Sequence, residues 1–168
     1  MALEIERRFL VSGEGWRNCA GVPQPLRQGY LAASAEGITV RMRLRGQDQA
    51  WLTLKAAAEA SGLVRHEFEY PIPVSDAEAL WSLAPHRLVK TRFQLDLAGG
   101  DWVVDCFEGE NAPLVIAEVE LAAADSALVL PEWCGAEITG VSRWSNALLA
   151  HQPLQSWSVA ERRRYGLP

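Results

Sequence analysis

The sequence predicts a mainly β fold with flanking helices, built as a closed eight-stranded antiparallel β-barrel whose interior is a polar tunnel. Three observations lead to this prediction. Charged and apolar residues alternate with a period of two in one stretch after another, and turns of hairpin length separate these stretches. The charged faces are mostly cationic, although the net charge is −5. The length of 168 residues fits one domain, residues 1–168, with its own core.

The first strand, predicted over residues 3–11, shows the pattern on which the other elements build. Alternation places Glu4, Glu6 and Arg8 on one face and apolar side chains on the other. The same alternation predicts seven further strands, over residues 26–33, 38–45, 50–56, 63–73, 88–97, 102–107 and 114–121.

Helices and turns are predicted between and after the strands. A turn at 35–37 leads into the third strand, and Ser75 is a plausible N-cap for a short helix that ends near Leu83. The remaining elements are a helix over 122–129, a short strand over 137–139, a helix over 143–151 and a capping helix or loose basic tail over 158–168.

Antiparallel strands at this spacing fit either a β-sandwich with its charges in water or a barrel with its charges inside. The only two lysines, Lys55 and Lys90, lie on charged strand faces, whereas solvated surfaces usually favour lysine. Cations gathered on such faces repel one another unless an anion binds between them. We therefore favour the barrel and expect an anionic ligand of high charge density. The cations concerned are Arg41, Arg43, Arg45, Lys55, Arg65, Lys90 and Arg92.

Composition limits the partners and the location. The net charge of −5 and pI of about 5.2 argue against nucleic acid and anionic membranes as partners. The three cysteines, Cys19, Cys106 and Cys134, are widely spaced and form neither a zinc motif nor a disulfide framework. No signal segment or long apolar run is present. We expect a cytoplasmic protein, monomeric or homodimeric, with a small molecule as its ligand.

Carboxylates share the charged strand faces with the cations. They would repel a phosphate ligand, but Mg²⁺ or Mn²⁺ binds carboxylate and phosphate oxygens together. Arginine and lysine bind phosphate as well, so this combination of residues is typical of phosphoryl transfer. The carboxylates are Glu4, Glu6, Glu67, Glu69, Asp105, Glu118 and Glu120.

The charged motifs of this chain resemble those of a known family. Glu4–Val11 is similar to the N-terminal ExExK signature of the CYTH, or triphosphate tunnel metalloenzyme, superfamily. Further similar segments follow in the family's order: Arg41–Arg43, Leu54–Lys55, Glu67–Glu69, Lys90–Arg92, Asp105, Glu118–Glu120 and Arg143–Ala150. The resemblance implies an eight-stranded tunnel in which Mg²⁺ or Mn²⁺ supports hydrolysis of inorganic triphosphate to pyrophosphate and phosphate.

The resemblance also implies roles for individual residues. Metal ligands or their supports would be Glu4, Glu6, Glu118 and Glu120. Phosphate would be held by Arg41, Arg43, Lys55, Lys90, Arg92 and Arg143. Glu67, Glu69 and Asp105 would orient the attacking water, and Arg8 stands at the catalytic position of the signature lysine. Tyr30, outside these motifs, is predicted to be a core or rim residue.

Two departures from the family pattern bear on activity. Arg8 replaces the signature lysine, and 140–144 reads Gly-Val-Ser-Arg-Trp where relatives usually carry Asp-Lys-Arg-Tyr or a similar segment. We expect a slower triphosphatase, which Arg8→Lys should accelerate if the missing amine is the cause. The alternatives are a nucleoside or thiamine triphosphate hydrolase, a class IV-type adenylate cyclase, or a non-catalytic module that binds polyphosphate or nucleotide.

Overall fold

The computed structural model describes residues 3–33 and 37–168 and confirms the antiparallel barrel. Within these residues the strands are β1 (Leu3–Val11), β2 (Gln24–Ala32), β3 (Thr39–Arg45), β4 (Gln49–Ala57), β5 (Val64–Pro71), β6 (His86–Leu95), β7 (Asp101–Phe107), β8 (Val115–Glu120) and β9 (Cys134–Glu137). The α-helices are α1 (Val74–Leu83), α2 (Asn146–His151) and α3 (Val159–Arg164). Among the described residues, no helix is both long and apolar enough to span a bilayer.

The barrel closes through the first strand. The sheet runs β5-β4-β3-β2-β6-β7-β8-β1, and β5 pairs again with β1 to complete a ring of eight strands. This closing seam is short, because Leu3–Ile5 pairs with Val64–His66 while the far end of the same β1 edge pairs with β9. The seam therefore ends near Glu6, whose backbone N–H donates to the Leu63 carbonyl at 3.2 Å.

Apolar side chains cover the outside of the barrel, as the alternation predicts. On one side α1 packs its Ala77 against Met42 and Leu44 of β3. Gly29 of β2 allows this close approach, because a Cβ there would lie 2.8 Å from the Ala84 side chain. On the other side a second cluster surrounds the fully buried Trp16. Burial of these apolar faces leaves the charged faces to line the lumen.

The C-terminal segment fills one end of the lumen. Inward-facing Leu10 and Leu88 pack there with Trp144, Leu149 and Trp157 from the region around α2. The sequence predicts a helix in this region but not its place across the barrel. The polar part of the lumen is therefore a cavity with α2 at one end.

Three local predictions are wrong. Residues 122–129 contain bends and a turn instead of a helix, because the Ser126 hydroxyl accepts a hydrogen bond from the Ala123 N–H and competes with helical bonding. The short strand is Cys134–Glu137, where it pairs with the end of β1, and not 137–139. Ser75 does not cap α1, which begins at Val74 after Pro73.

The remaining C-terminal predictions hold in modified form. The helix predicted over 143–151 divides into a 3-10 turn over Ser142–Trp144 and α2, which starts after Ser145, whose hydroxyl accepts from the Leu148 N–H at 3.1 Å. In the tail, Ser158 and Glu161 form a capping box for α3. The turn predicted at 35–37 lies mostly outside the described residues.

Candidate functional site

The barrel encloses a cavity of about 1290 Å³. All but three of the predicted site residues line it, from six of the eight barrel strands; the eleven are Glu4, Glu6, Arg8, Arg41, Arg43, Lys55, Glu67, Glu69, Arg92, Glu118 and Glu120. The three exceptions are Lys90, Asp105 and Arg143. Strand alternation therefore brings charges from distant parts of the chain into one enclosed space.

Four arginines line the cavity; we call Arg8, Arg41, Arg43 and Arg92 the cationic wall. Arg41 is 5% exposed and donates through Nη2 to Thr53 Oγ1 at 3.0 Å and to Glu69 Oε2 at 3.3 Å. Burial and the neighbouring Arg41 and Arg92 lower the pKa of Arg43. Guanidinium groups crowded in this way repel one another, and a bound anion would relieve the repulsion.

Arg8 is a member of the wall with unused hydrogen-bonding capacity. Its Nη1 donates to the backbone carbonyl of Trp144 at 3.0 Å, while Nε and Nη2 have no partner among the described residues. The residue is only 7% exposed. An unpartnered buried donor is costly, so this free edge of the guanidinium is a candidate for anion binding.

Lys90 and Asp105 lie behind the wall and do not border the cavity. Lys90 is fully buried and donates to Asp105 Oδ2 at 2.5 Å and to Asn146 Oδ1 of α2 at 3.1 Å. Burial lowers the pKa of Lys90 to about 7, against the attraction of Asp105. Asp105 also accepts two hydrogen bonds from Arg92, at 2.7 and 2.8 Å. The pair therefore orients Arg92 and fastens α2 to the barrel, and neither residue is placed to touch a ligand in the cavity.

Arg143 lies outside the cavity altogether. Its guanidinium donates to Gln152 Oε1 at 2.6 Å and to Glu161 Oε1 at 3.4 Å, and it lies 4.1 Å from the centre of the Trp157 ring. These contacts connect α2 to α3. Arg143 lies in the 3-10 turn Ser142–Trp144, where the sequence pattern predicts the start of an α-helix.

The carboxylates that line the cavity have two cations between them; we call Glu4, Glu6, Glu67, Glu69, Glu118 and Glu120 the acidic side. Lys55 Nζ lies 2.7 Å from Glu4 Oε2 and 3.3 Å from Glu67 Oε2. Arg65 reaches Glu4 at 3.1 Å and also pairs with Glu6. Although burial alone would raise the pKa of the Glu67 carboxyl, Lys55 and Arg41 hold it below its ordinary value.

Glu6 and Glu120 place two like charges next to each other on this acidic side. They are direct cross-strand partners in the β1–β8 ladder, and both point into the lumen. Like charges in this position destabilise a sheet. Burial and the nearby carboxylates raise the pKa of both groups. For Glu118 burial would do the same, but Arg92 and Arg8 hold its pKa well below the ordinary value.

The donor set of this acidic side fits a hard divalent cation. Oxygen ligands from several carboxylates suit Mg²⁺ or Mn²⁺, and a cation between Glu6 and Glu120 would relieve their repulsion. Among the described residues, no three His, Cys, Asp or Glu side chains are already arranged as a metal site. Lys55 and Arg65 now act as counter-ions to several of these carboxylates, and a metal would have to share or displace them.

Two residues of β2 also belong to the site: Gln28, which the sequence pattern does not single out, and Tyr30, which is predicted as a core or rim residue and is 4% exposed. Gln28 is fully buried and accepts from Arg43 Nε at 3.1 Å, and Tyr30 lines the cavity. Gln28 and Tyr30 lie on the same face of the strand as Leu26, which indicates that they point inward. Because that face carries no charge, the sequence pattern does not indicate a functional role for it. The chemistry of the residues that line the cavity suits a multiply charged anion together with a divalent cation.

Comparison with known proteins agrees with this geometry. The CYTH domain profile matches residues 2–147. The chain is 37% identical to an inorganic triphosphatase of Acetivibrio thermocellus, with 94% of this chain and 99% of that protein covered. It is 38% identical to an inorganic triphosphatase of Nitrosomonas europaea, covering 88% and 96%. The crystal structure of the inorganic triphosphatase NE1496 matches with a TM-score of 0.60 at 35% identity, over 89% of this chain and 95% of that one. The resemblance seen in the sequence is thus confirmed, and the chain belongs to the CYTH domain family.

Proposed function

We propose that this protein hydrolyses inorganic triphosphate to pyrophosphate and phosphate inside the barrel, with Mg²⁺ or Mn²⁺. The observation that carries the proposal is the gathering of charges in one cavity, where guanidinium groups keep unpartnered donors and two carboxylates face each other across neighbouring strands. The names of the curated relatives support inorganic triphosphate as the substrate. We also propose a cytoplasmic location, with which the three free cysteines agree.

In this proposal the cationic wall binds the substrate. Arg8, Arg41, Arg43 and Arg92 hold phosphate oxygens, and Arg92 is kept in position by its two hydrogen bonds to Asp105. Lys55 supplies a further cation from among the carboxylates. Such fixed positive charge stabilises negative charge that redistributes over the phosphoryl oxygens during transfer.

The acidic side holds the metal and the water. Glu4, Glu6, Glu118 and Glu120 would hold the cation, and bound Mg²⁺ or Mn²⁺ would neutralise charge on the phosphoryl group. Glu67 and Glu69 line the same space and orient a water molecule. The water oxygen bonds to the terminal phosphorus, its proton passes to a carboxylate, and the bridging P–O bond breaks to release pyrophosphate.

A substrate with an organic group is the second candidate. A cavity of about 1290 Å³ leaves room beside a triphosphate, and Leu31, Pro85 and Leu148 contribute apolar surface to its lining. This observation keeps a nucleoside or thiamine triphosphate in consideration.

A phosphate-release screen separates these proposals. Tripolyphosphate, pyrophosphate, ATP and thiamine triphosphate are each incubated with Mg²⁺, with Mn²⁺, or with EDTA. We expect release from tripolyphosphate with a divalent metal and none with EDTA. Arg43→Gln should reduce the rate, whereas the matched change Arg87→Gln, at an exposed residue that bonds the Ser82 carbonyl, should not. Release from an organic triphosphate alone would favour the second candidate. Binding without release from any substrate would indicate the non-catalytic module.

A further inference from the structure

A buried amide connects two residues that face the cavity. Gln28 lies on β2, is 0% exposed, and has Arg43 on one side and Tyr30 on the other. Arg43 Nε is 3.1 Å from Gln28 Oε1, and Gln28 Nε2 is 2.9 Å from the Tyr30 hydroxyl. Both polar ends of this amide are therefore used within the barrel wall.

The chemistry of the donors fixes the direction of each bond. Arg43 Nε can only donate, so the atom of Gln28 beside it must be the carbonyl oxygen. The amide nitrogen then faces Tyr30 and donates to it, so the Tyr30 hydroxyl oxygen accepts. The hydroxyl proton must point away from Gln28.

The cavity is where this proton can be used. Tyr30 lines the cavity, and its cross-strand neighbour on β3 is Arg41 of the cationic wall. Within residues 3–33 and 37–168, the Tyr30 hydroxyl has no acceptor for its own proton. Burial raises the pKa of Tyr30, although Arg41 and Arg43 act in the opposite direction, so the donor stays protonated at neutral pH.

We propose that Tyr30 donates a hydrogen bond to a phosphate oxygen of the substrate, and that Gln28 is a positioning residue that directs Tyr30 and Arg43 to the same ligand. This inference rests on the proposed function. A neutral donor beside crowded guanidinium groups adds recognition of the anion without adding repulsion between cations. It also makes β2, a strand whose inward face carries no charge, part of the binding site.

The test is a double-substitution cycle read as the Kd for tripolyphosphate, measured by calorimetry in EDTA so that turnover does not interfere. A carboxylate at position 28 can accept a hydrogen bond from Arg43 but cannot donate one to Tyr30. In Gln28→Glu the Tyr30 hydroxyl should therefore donate its hydrogen bond to this carboxylate and not to the substrate. We expect Tyr30→Phe to raise the Kd at least about 10-fold in the native background, the loss of a hydrogen bond to a charged group. In the Gln28→Glu background the same change should alter the Kd less than about 2-fold, because that hydrogen bond is already lost.

Two matched controls accompany the cycle. Tyr70→Phe removes a hydroxyl from the exposed outer face of β5, and Gln49→Glu adds the same charge at an exposed position of β4; neither should change the Kd. An equal effect of Tyr30→Phe in both backgrounds, or no effect in either, overturns the inference. A role in folding alone would lower the thermal midpoint and leave the Kd unchanged. If the native protein binds tripolyphosphate without hydrolysing it, the proposed function fails, and the cycle still decides the roles of Tyr30 and Gln28.

Discussion

Replacing Arg8 by lysine tests how the cationic wall holds its ligand. The sequence alone predicts a gain in activity if the missing amine is what slows the enzyme, because lysine restores the family signature. The structure leads us to expect a loss. Arg8 is fastened through Nη1 to the Trp144 carbonyl, and its Nε and Nη2 form one free edge of the planar guanidinium. Lysine keeps the charge but has no planar edge that binds two oxygens at once.

The size of the loss follows from the hydrogen bonds. A hydrogen bond to a charged group contributes roughly 1.5–3 kcal/mol. Arg8→Lys replaces two donors in fixed positions by one flexible ammonium, so we expect one such bond to be lost. This corresponds to roughly 10- to 100-fold weaker binding, since each 1.4 kcal/mol is about a factor of ten.

The assay measures KM and kcat for tripolyphosphate with Mg²⁺, together with the Kd in EDTA. The matched control is Arg7→Lys, which makes the same chemical change one residue earlier on the outward face, where Arg7 pairs with Glu137 at 2.8 and 2.9 Å. That control should leave all three constants unchanged. If Arg8→Lys binds as tightly as the native protein or reacts faster, the two-donor interpretation is refuted and the missing amine explains any weak activity.

Three further predictions concern protons and packing. Burial raises the pKa of Glu6 and Glu120 above the ordinary value of 4.5. As the pH is lowered, the rate of hydrolysis with Mg²⁺ should therefore begin to fall at a pH above 4.5. A rate that stays unchanged down to pH 4.5 would contradict this prediction. Lys90 has its pKa lowered to about 7 in the native state from an ordinary 10.5, so the unfolded chain binds the extra proton between these values. The free energy of unfolding of the native protein should therefore rise relative to that of Lys90→Met as pH increases from 7 toward 10.5. If urea unfolding gives the same difference between the two proteins at pH 7 and at pH 9, this prediction is refuted. Gly140 has φ +69°, and a Cβ there would collide with the Ser61 carbonyl, whereas Gly13 has φ +72° and open space around it. Gly140→Ala should therefore lower the free energy of unfolding by on the order of 1–3 kcal/mol more than Gly13→Ala does. Equal losses in the two variants would argue against the contact.

The barrel could be predicted because its signal is local. Alternation along each strand determines which face a side chain occupies, and that face is inward for Glu4, Arg41 and Glu118 alike. The number of strands and their hairpin turns then restrict the ways in which the sheet can close. For this reason the sequence predicts that residues from many separate strands lie in one lumen.

Depth within the lumen could not be predicted in the same way. Lys90 and Arg92 have the same parity, yet Lys90 is fully buried behind the cavity while Arg92 borders it. The difference arises from α2, whose Asn146 accepts from Lys90. A contact between residues 56 positions apart leaves no trace in the periodicity of either element. The position of Arg143 cannot be predicted for a similar reason, because it depends on packing between α2 and α3.

Phosphorus NMR of the reaction mixture tests the central claim most directly. The native protein is mixed with tripolyphosphate and Mg²⁺ or Mn²⁺, and the signals are followed over time. We predict that pyrophosphate and phosphate appear in equal amounts as tripolyphosphate disappears, and that EDTA stops the reaction. Unchanged tripolyphosphate signals with either metal would contradict the account.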